Sequence, residues 1–264
     1  MIARVLTVAG SDSGGGAGIE ADLKTITALG GYGCTAITGL TAQNTLGVKD
    51  VHPVPPDFVA LAMRCVIEDI GVDAIKLGML TNEGIIRAVA ATLPPDVPVV
   101  LDPVMVATSG AVLLPDEAIA ALIETLIPRA ALITPNLPEA AKITGLPVET
   151  HSQRLAAGQR LLEMGAKAAL IKGGHGTGAA LTDLLVTRDS VVEITLPRIE
   201  SRSTHGTGCT MSSAIATSLA QGLALEASVR RARDYLQAAI ATAPGLGAGH
   251  GPVNHLVSIE AVRL

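Results

Sequence analysis

Short apolar runs alternate along this chain with stretches in which apolar residues recur every three or four positions. The first kind predicts strands and the second amphipathic helices, so the alternation predicts parallel βαβ units. Strands are expected over 4–9, 35–40, 74–77, 99–101, 131–133 and 168–171. Helical patterns fall between them: Ile19, Leu23 and Ile26; Val59, Met63, Val66, Ile67 and Ile70; then 83–93, 117–126 and 155–164. The runs 184–186 and 191–196 read as a hairpin, which puts antiparallel strands at one edge of the sheet. Two helices close the pattern, one over 211–220 and one with Val229, Ala232, Leu236 and Ile240 on a single stripe. With no linker, repeat or low-complexity tract, the expectation is one domain spanning 1–264. It is of the α/β class, a mostly parallel sheet with helices on both faces, and in such sheets ligands bind beyond the carboxyl ends of the strands.

Composition narrows what such a sheet can bind. Only 16% of the 264 residues are charged, the net charge is -5, and no Lys/Arg run occurs, which argues against nucleic acid as a partner. Phe58, Tyr32 and Tyr235 are the whole aromatic complement. A stacking platform for single strands is therefore excluded, and a bound heterocycle must be gripped by aliphatic groups, sulfur and backbone. Cys34, Cys65 and Cys209 are far apart and form no CxxC, a pattern of reducing compartments. The N-terminal apolar run passes straight into polar residues and glycines, as a first strand does and a signal peptide does not. No uncharged stretch is long enough to span a bilayer. A soluble, cytoplasmic protein without a membrane partner is expected.

The densest chemistry lies in Ser203-Thr204-His205-Gly206-Thr207-Gly208-Cys209-Thr210, where an extended segment gives way to a helix. A helix starting there aims free N–H groups and the positive end of its dipole at one spot, and glycines at 206 and 208 let an anion approach the backbone. In the first turn the same field is expected to lower the pKa of Cys209 and favour thiolate. An anion cradle beside an activated base points to phosphoryl transfer, against the plainer reading of a Gly-rich helix start with a small buried cysteine. Four further segments sit at strand ends. Gly10–Gly18 is glycine-rich but matches neither GxGxxG nor GxxxxGK[ST], so phosphates are held without either loop. Asp102, before Pro103, is either a Mg²⁺ ligand or the opening of a turn. Asn136 and Glu139 have the spacing of a capping box, a role compatible with one carboxylate oxygen holding a metal-bound water. Lys172 leaves its strand into glycines, positioned for phosphates or for solvent. His175 and His205 stand beside glycines as backbone-orienting residues. His250 and His255 have no zinc spacing.

Assembled, these segments resemble the hydroxymethylpyrimidine/phosphomethylpyrimidine kinases of thiamine biosynthesis, within the ribokinase-like superfamily. The resemblance covers nearly the whole chain and rests on VAGSDSGGGAGIEADLKT, TGLTAQNT, KLGML, LDPVMVATSG, TPNLPEA, IKGGH, THGTGCT and GHGPVNH, in that order. It implies a three-layer α/β/α ribokinase-like fold, a homodimer, and two successive ATP-dependent phosphorylations. These would take 4-amino-5-hydroxymethyl-2-methylpyrimidine to its monophosphate and then to its diphosphate. It implies that Gln43 reads the aminopyrimidine edge, with Gly10, Asp22 and Met79 forming the pocket. Cys209 would take the hydroxymethyl proton, the N–H groups of Gly206, Thr207, Gly208 and Cys209 would cradle the transferring phosphoryl, Lys172 would add charge, and Asp102, Asn136 and Glu139 would hold Mg²⁺. Two positions depart from the family pattern. Glu20 stands where Gln is more frequent, and Thr108 where Lys is usual, which leaves the phosphate region one positive charge short.

The nearest competing reading is a pyridoxal or pyridoxine kinase of the same branch. A dinucleotide-dependent oxidoreductase lacks its GxGxxG, and a non-catalytic nucleotide-binding module is the third alternative.

Overall fold

Apolar residues fill RVLTVAGSD on both sides of the chain, and β1 (Arg4–Asp12) accordingly lies inside the sheet, covered on both faces. This computed structural model describes residues 1–107, 109–175 and 178–257. β1 pairs in parallel with β2 (Tyr32–Asn44) on one side and β4 (Ala74–Leu77) on the other. The parallel run continues through β5 (Val99–Leu101), β6 (Leu132–Ile133) and β7 (Ala168–Ile171). Antiparallel strands close both edges: β3 (Gly47–Pro53) folds back on β2, and β8 (Ala180–Thr187) and β9 (Val191–Pro197) form the expected hairpin on β7. The strand order is β3-β2-β1-β4-β5-β6-β7-β8-β9. The sequence pattern foresaw only one antiparallel edge. β3 escaped it because GVKDVHP is a half-exposed edge strand with no buried residue, so it carries no apolar period to read.

Two layers of helices cover the sheet. α1 (Gly18–Ala28), α7 (Thr207–Ala220) and α8 (Leu225–Ala241) pack Ile26, Met211, Ile215, Val229 and Leu236 over one face, against Val5, Val100 and Leu132. α2 (Pro56–Cys65), α3 (Glu83–Thr92), α4 (Asp116–Ala121), α5 (Leu137–Thr144) and α6 (His151–Glu163) bury Val59, Ile85, Ile119, Ile143 and Leu161 over the other, against Leu6, Ile75 and Ile133. α4 is shorter than the 117–126 pattern because the chain widens into a π turn at Leu122–Leu126 while keeping its apolar face buried. The two cores follow the period of two along each strand. In β4, Ala74 belongs to the α1/α7/α8 side and Ile75 and Leu77 to the other, so Lys76 points toward α1 and α7. Thr7, its register partner on β1, does the same. Among the described residues no helix is long and apolar enough to cross a membrane.

Candidate active site

The carboxyl ends of the parallel strands open into a cavity of about 550 Å³. Gly10, Gln43, Met79, Asp102, Asn136, Glu139, Lys172, Gly206, Thr207, Gly208 and Cys209 all line it. The topology gathers residues almost 200 positions apart because each follows a parallel strand or opens the helix after one.

The N-terminus of α7 forms one wall. Gly206 caps it with φ 79° and ψ 8°, the left-handed conformation that glycine adopts without strain. A side chain there would also overlap the Gly16 carbonyl oxygen, so the strand-β1 loop and the α7 turn pack backbone to backbone. The helix ladder begins only with Thr210 N–H to Gly206 O at 2.8 Å. Among the described residues the amides of Gly208 and Cys209 find no backbone acceptor, which leaves them for a ligand anion.

Opposite this wall sits a buried charge cluster. Asp102 is 2% exposed, and its Oδ1 accepts from Lys172 Nζ at 2.8 Å and from Thr134 Oγ1 at 3.1 Å. The partner a buried Asp102 requires is thus Lys172 in the first instance. A Cβ at Gly208 would stand 3.2 Å from Asp102 Oδ2 and 3.3 Å from Lys172 Nζ, so a bare glycine lets the helix end close over the pair. Asn136 and Glu139 make the capping box: Glu139 N–H donates to Asn136 Oδ1 at 2.9 Å, and Asn136 N–H donates to Glu139 Oε2 at 2.8 Å. Burial pushes the Glu139 carboxyl up to about 7, with Lys172 pulling it down and Asp102 pushing it further up. The Lys172 ammonium is held charged by Asp102 and Glu139 despite its burial.

Cys209 departs from expectation. Burial pushes its thiol up to about 11, against the downward pull of the Lys76 ammonium and the Gly18 N–H, with Asp22 and Asp102 adding to the rise. The resting side chain is therefore a thiol, because desolvation outweighs the helix field that the sequence pattern credits with favouring thiolate. Asp22 departs as well. It is fully buried and does not line the cavity; Oδ2 accepts from Thr7 Oγ1 at 2.5 Å and Lys76 Nζ at 2.8 Å, and Oδ1 from Ser213 Oγ at 2.7 Å. An aspartate whose two oxygens are taken beneath the floor cannot touch a substrate above it.

At the other end of the cavity the Gln43 side-chain amide makes no hydrogen bond among the described residues, while its backbone N–H and C=O are tied to Ser13 Oγ. Gly10 faces Met79, whose methyl group fills the space a Cβ would need. Glu20 accepts from Ser11 Oγ at 2.6 Å and from the Asp12 N–H at 2.7 Å, so it ties the loop rather than facing a ligand. Thr108, Gly176 and Thr177 and the His175 side chain lie outside the described residues.

One lock carried no warning in the motifs. Asp12 accepts from the N–H groups of Gly14, Gly16 and Ala17 at 2.7, 2.9 and 2.8 Å, and meets His205 Nε2 at 2.8 Å. Burial raises its carboxyl, but the His205 bond and the loop amides more than offset this and hold it below the usual range. The loop glycines at 14 and 16 thus wrap a carboxylate of the protein itself. Asp183, holding the Gly173 N–H at 2.7 Å and facing Arg233 Nε at 3.3 Å, was missed likewise; the only signal was a charge inside the apolar run of β8.

A three-layer fold whose strand ends carry a helix N-terminus with no side-chain cap, a lysine–aspartate pair and an apolar cavity defines a ribokinase-like small-molecule kinase. The profile of the phosphomethylpyrimidine kinase family matches residues 12–254, and the chain belongs to that family. It is 51% identical over 261 residues to the thiamine biosynthesis bifunctional protein ThiED of Geobacter sulfurreducens, covering 98% of this chain but only 53% of that longer protein. It is 49% identical over 259 residues to the hydroxymethylpyrimidine/phosphomethylpyrimidine kinase of Rhizobium meliloti, covering 97% of each. The ADP complex of Bacillus subtilis pyridoxal kinase superposes with a TM-score of 0.87 at 34% identity, over 97% of this chain and 98% of the other.

Proposed function

We propose that this chain transfers the γ-phosphoryl group of ATP to 4-amino-5-hydroxymethyl-2-methylpyrimidine and then to the resulting monophosphate. The observation that carries the reading is the pair of free amides at Gly208 and Cys209 closing over Lys172 and Asp102. Donors fixed where charge develops stabilise a transferring phosphoryl without reorganisation. Gln43 has a free amide that can accept from the exocyclic amine and donate to a ring nitrogen, and Gly10 and Met79 line the same cavity with bare backbone and a thioether for the ring.

Mg²⁺ fits this donor set. Among the described residues no group of three or more His, Cys, Asp and Glu forms a closed cage, but Mg²⁺ characteristically takes one or two carboxylates and completes its shell with phosphates and water. Asp102, with Oδ2 uncommitted, and Glu139, assisted by Asn136, would hold it. The ion supplies neutralisation of the phosphate charge. Lys172 adds a fixed cation, and Thr207 lies in the cradle turn.

Cys209 receives the proton of the attacking hydroxyl. Because the thiol rests protonated, only its thiolate minority serves. The transition state is loose and the hydroxyl turns acidic only as it bonds to phosphorus, so a weakly populated base suffices. A second copy of the chain completes the homodimer, to be read by sedimentation. ADP release with Mg-ATP against the hydroxymethylpyrimidine, its monophosphate and pyridoxal tests the substrate. Turnover on both pyrimidines is expected, and turnover on pyridoxal alone would move the assignment to pyridoxal kinase. Near-normal turnover of Cys209→Ser beside a dead Gly208→Pro would remove the base role and leave the cradle.

A further inference from the structure

α1 and α7 begin side by side at the cavity and meet in two rungs. In the upper rung Gly18, the first residue of α1, stands level with Cys209 in the first turn of α7. One turn below, Ser213 Oγ donates to Asp22 Oδ1 at 2.7 Å. Gly18 and Asp22 are four residues apart on one helix, Cys209 and Ser213 four apart on the other. Lys76 enters from β4 beneath them, fully buried, and binds the remaining oxygen of Asp22 at 2.8 Å. A lysine in the middle of a parallel strand is costly to bury, and a hydrophobic residue would fill the position with less penalty. It touches no solvent and does not line the cavity, so neither substrate nor nucleotide explains it. Cys209 stands one turn above the Ser213–Asp22 bond on the same face of α7.

We propose that Lys76 is a positioning residue for the reaction, a buried cation that sets the ionisation of Cys209, with Asp22 as the counter-ion that tempers it and Ser213 as the brace that fixes Asp22 one turn below the sulfur. The inference rests on Cys209 being the proton acceptor. The charges reaching the sulfur are Lys76 from β4, Asp22 from α1, Asp102 after β5 and Lys172 after β7. Of these, Lys76 is the cation set directly behind the α1–α7 seam. Asp22→Asn leaves the ammonium with the thiol as its nearest acidic neighbour and favours thiolate. Lys76→Met leaves Asp22 unopposed beneath the sulfur and disfavours it.

The test is a ¹³Cβ NMR titration of Cys209 in cysteine-labelled protein, its signal assigned by loss in Cys209→Ser. Ionisation is read directly there, so altered access to a reagent has no effect. The midpoint is expected to fall by about one pH unit in Asp22→Asn and to rise by a similar amount in Lys76→Met. The double variant Lys76→Met/Asp22→Asn carries no unpaired buried charge. It keeps the experiment decisive where Lys76→Met does not fold, and its midpoint is expected above that of Asp22→Asn. Coincidence of Asp22→Asn, the double variant and the unmodified protein would overturn the proposal. ADP release across pH, measured in parallel, separates the two readings. Ordered midpoints with a pH-independent rate would discard Cys209 as base while the electrostatic assignment stands; unmoved midpoints would discard the assignment whatever the rate does.

Discussion

Replacing Gly206 by alanine isolates what the backbone-to-backbone contact of the cradle contributes. Two penalties apply. The φ of 79° places alanine in the left-handed region, at a cost of about 1–2 kcal/mol. The new methyl would also overlap the Gly16 carbonyl oxygen and approach Ala17 Cα to 3.1 Å. Gly16 cannot retreat cheaply, because its N–H and those of Gly14 and Ala17 are bound to Asp12. The helix end or the loop must therefore shift. Gly222 is the control: its φ is 86°, yet a Cβ there meets nothing within 4 Å. Gly222→Ala should lose about 1 kcal/mol in urea unfolding with unchanged turnover. Gly206→Ala should lose about 3 kcal/mol, adding a steric cost typical of overpacking to the same strain. Its kcat should fall on the order of a hundredfold, since displacement of the amides by an ångström misplaces the phosphoryl. Equal losses of stability and equal turnover in the two variants would refute the idea that close contact, rather than glycine conformation alone, builds the cradle.

Lys172→Met should abolish most turnover, about a hundredfold or more in kcat/KM, while leaving Asp102 buried without its cation and the fold less stable; steady-state kinetics with urea melts reads both. Glu20→Gln should cost less than about 1 kcal/mol, because an amide oxygen can keep the Asp12 N–H and the Ser11 hydroxyl can turn to accept from the amide nitrogen. His255 is buried against Thr210, and burial pushes its imidazole down to about 4 from 6.5. The unfolded chain then holds the extra proton between those values. This group's contribution is present above pH 6.5 and lost as pH falls toward 4, up to about 3 kcal/mol. Comparing unfolding at pH 4.5 and 7.5 in the unmodified protein and His255→Gln should show a flatter dependence in the variant.

Much of the fold was legible because buried parallel strands and amphipathic helices announce themselves through apolar period, and the 136–139 spacing announced its capping box. What escaped carried no such period. β3 is polar and half exposed, and its place depends on the return of a thirteen-residue β2 rather than on its own residues. The Asp12–His205 contact joins residues 193 positions apart and exists only because β1 ends and α7 begins at the same end of the sheet.

The site residues divide along the same line. Those presented by backbone geometry, the glycines of the α7 turn and the strand-end Asp102 and Lys172, could be placed at strand ends from local sequence because a glycine pair or a charge closing an apolar run marks where a strand stops, while the role of each stayed open. Ionisation was not readable, since it sums fields from elements scattered along the chain. The helix dipole visible in the sequence around Cys209 favours thiolate, but Lys76, Asp22 and Asp102 act on the sulfur from three other segments, and the loss of water outweighs them all. Asp22 shows the same effect in position. Four residues after Gly18 it shares that residue's face of α1, but one turn of helix, about 5.4 Å, carries it from the cavity wall to the buried layer beneath. A family motif fixes which residues recur; the register of a helix against its sheet decides which of them meet the substrate and which hold up the ones that do.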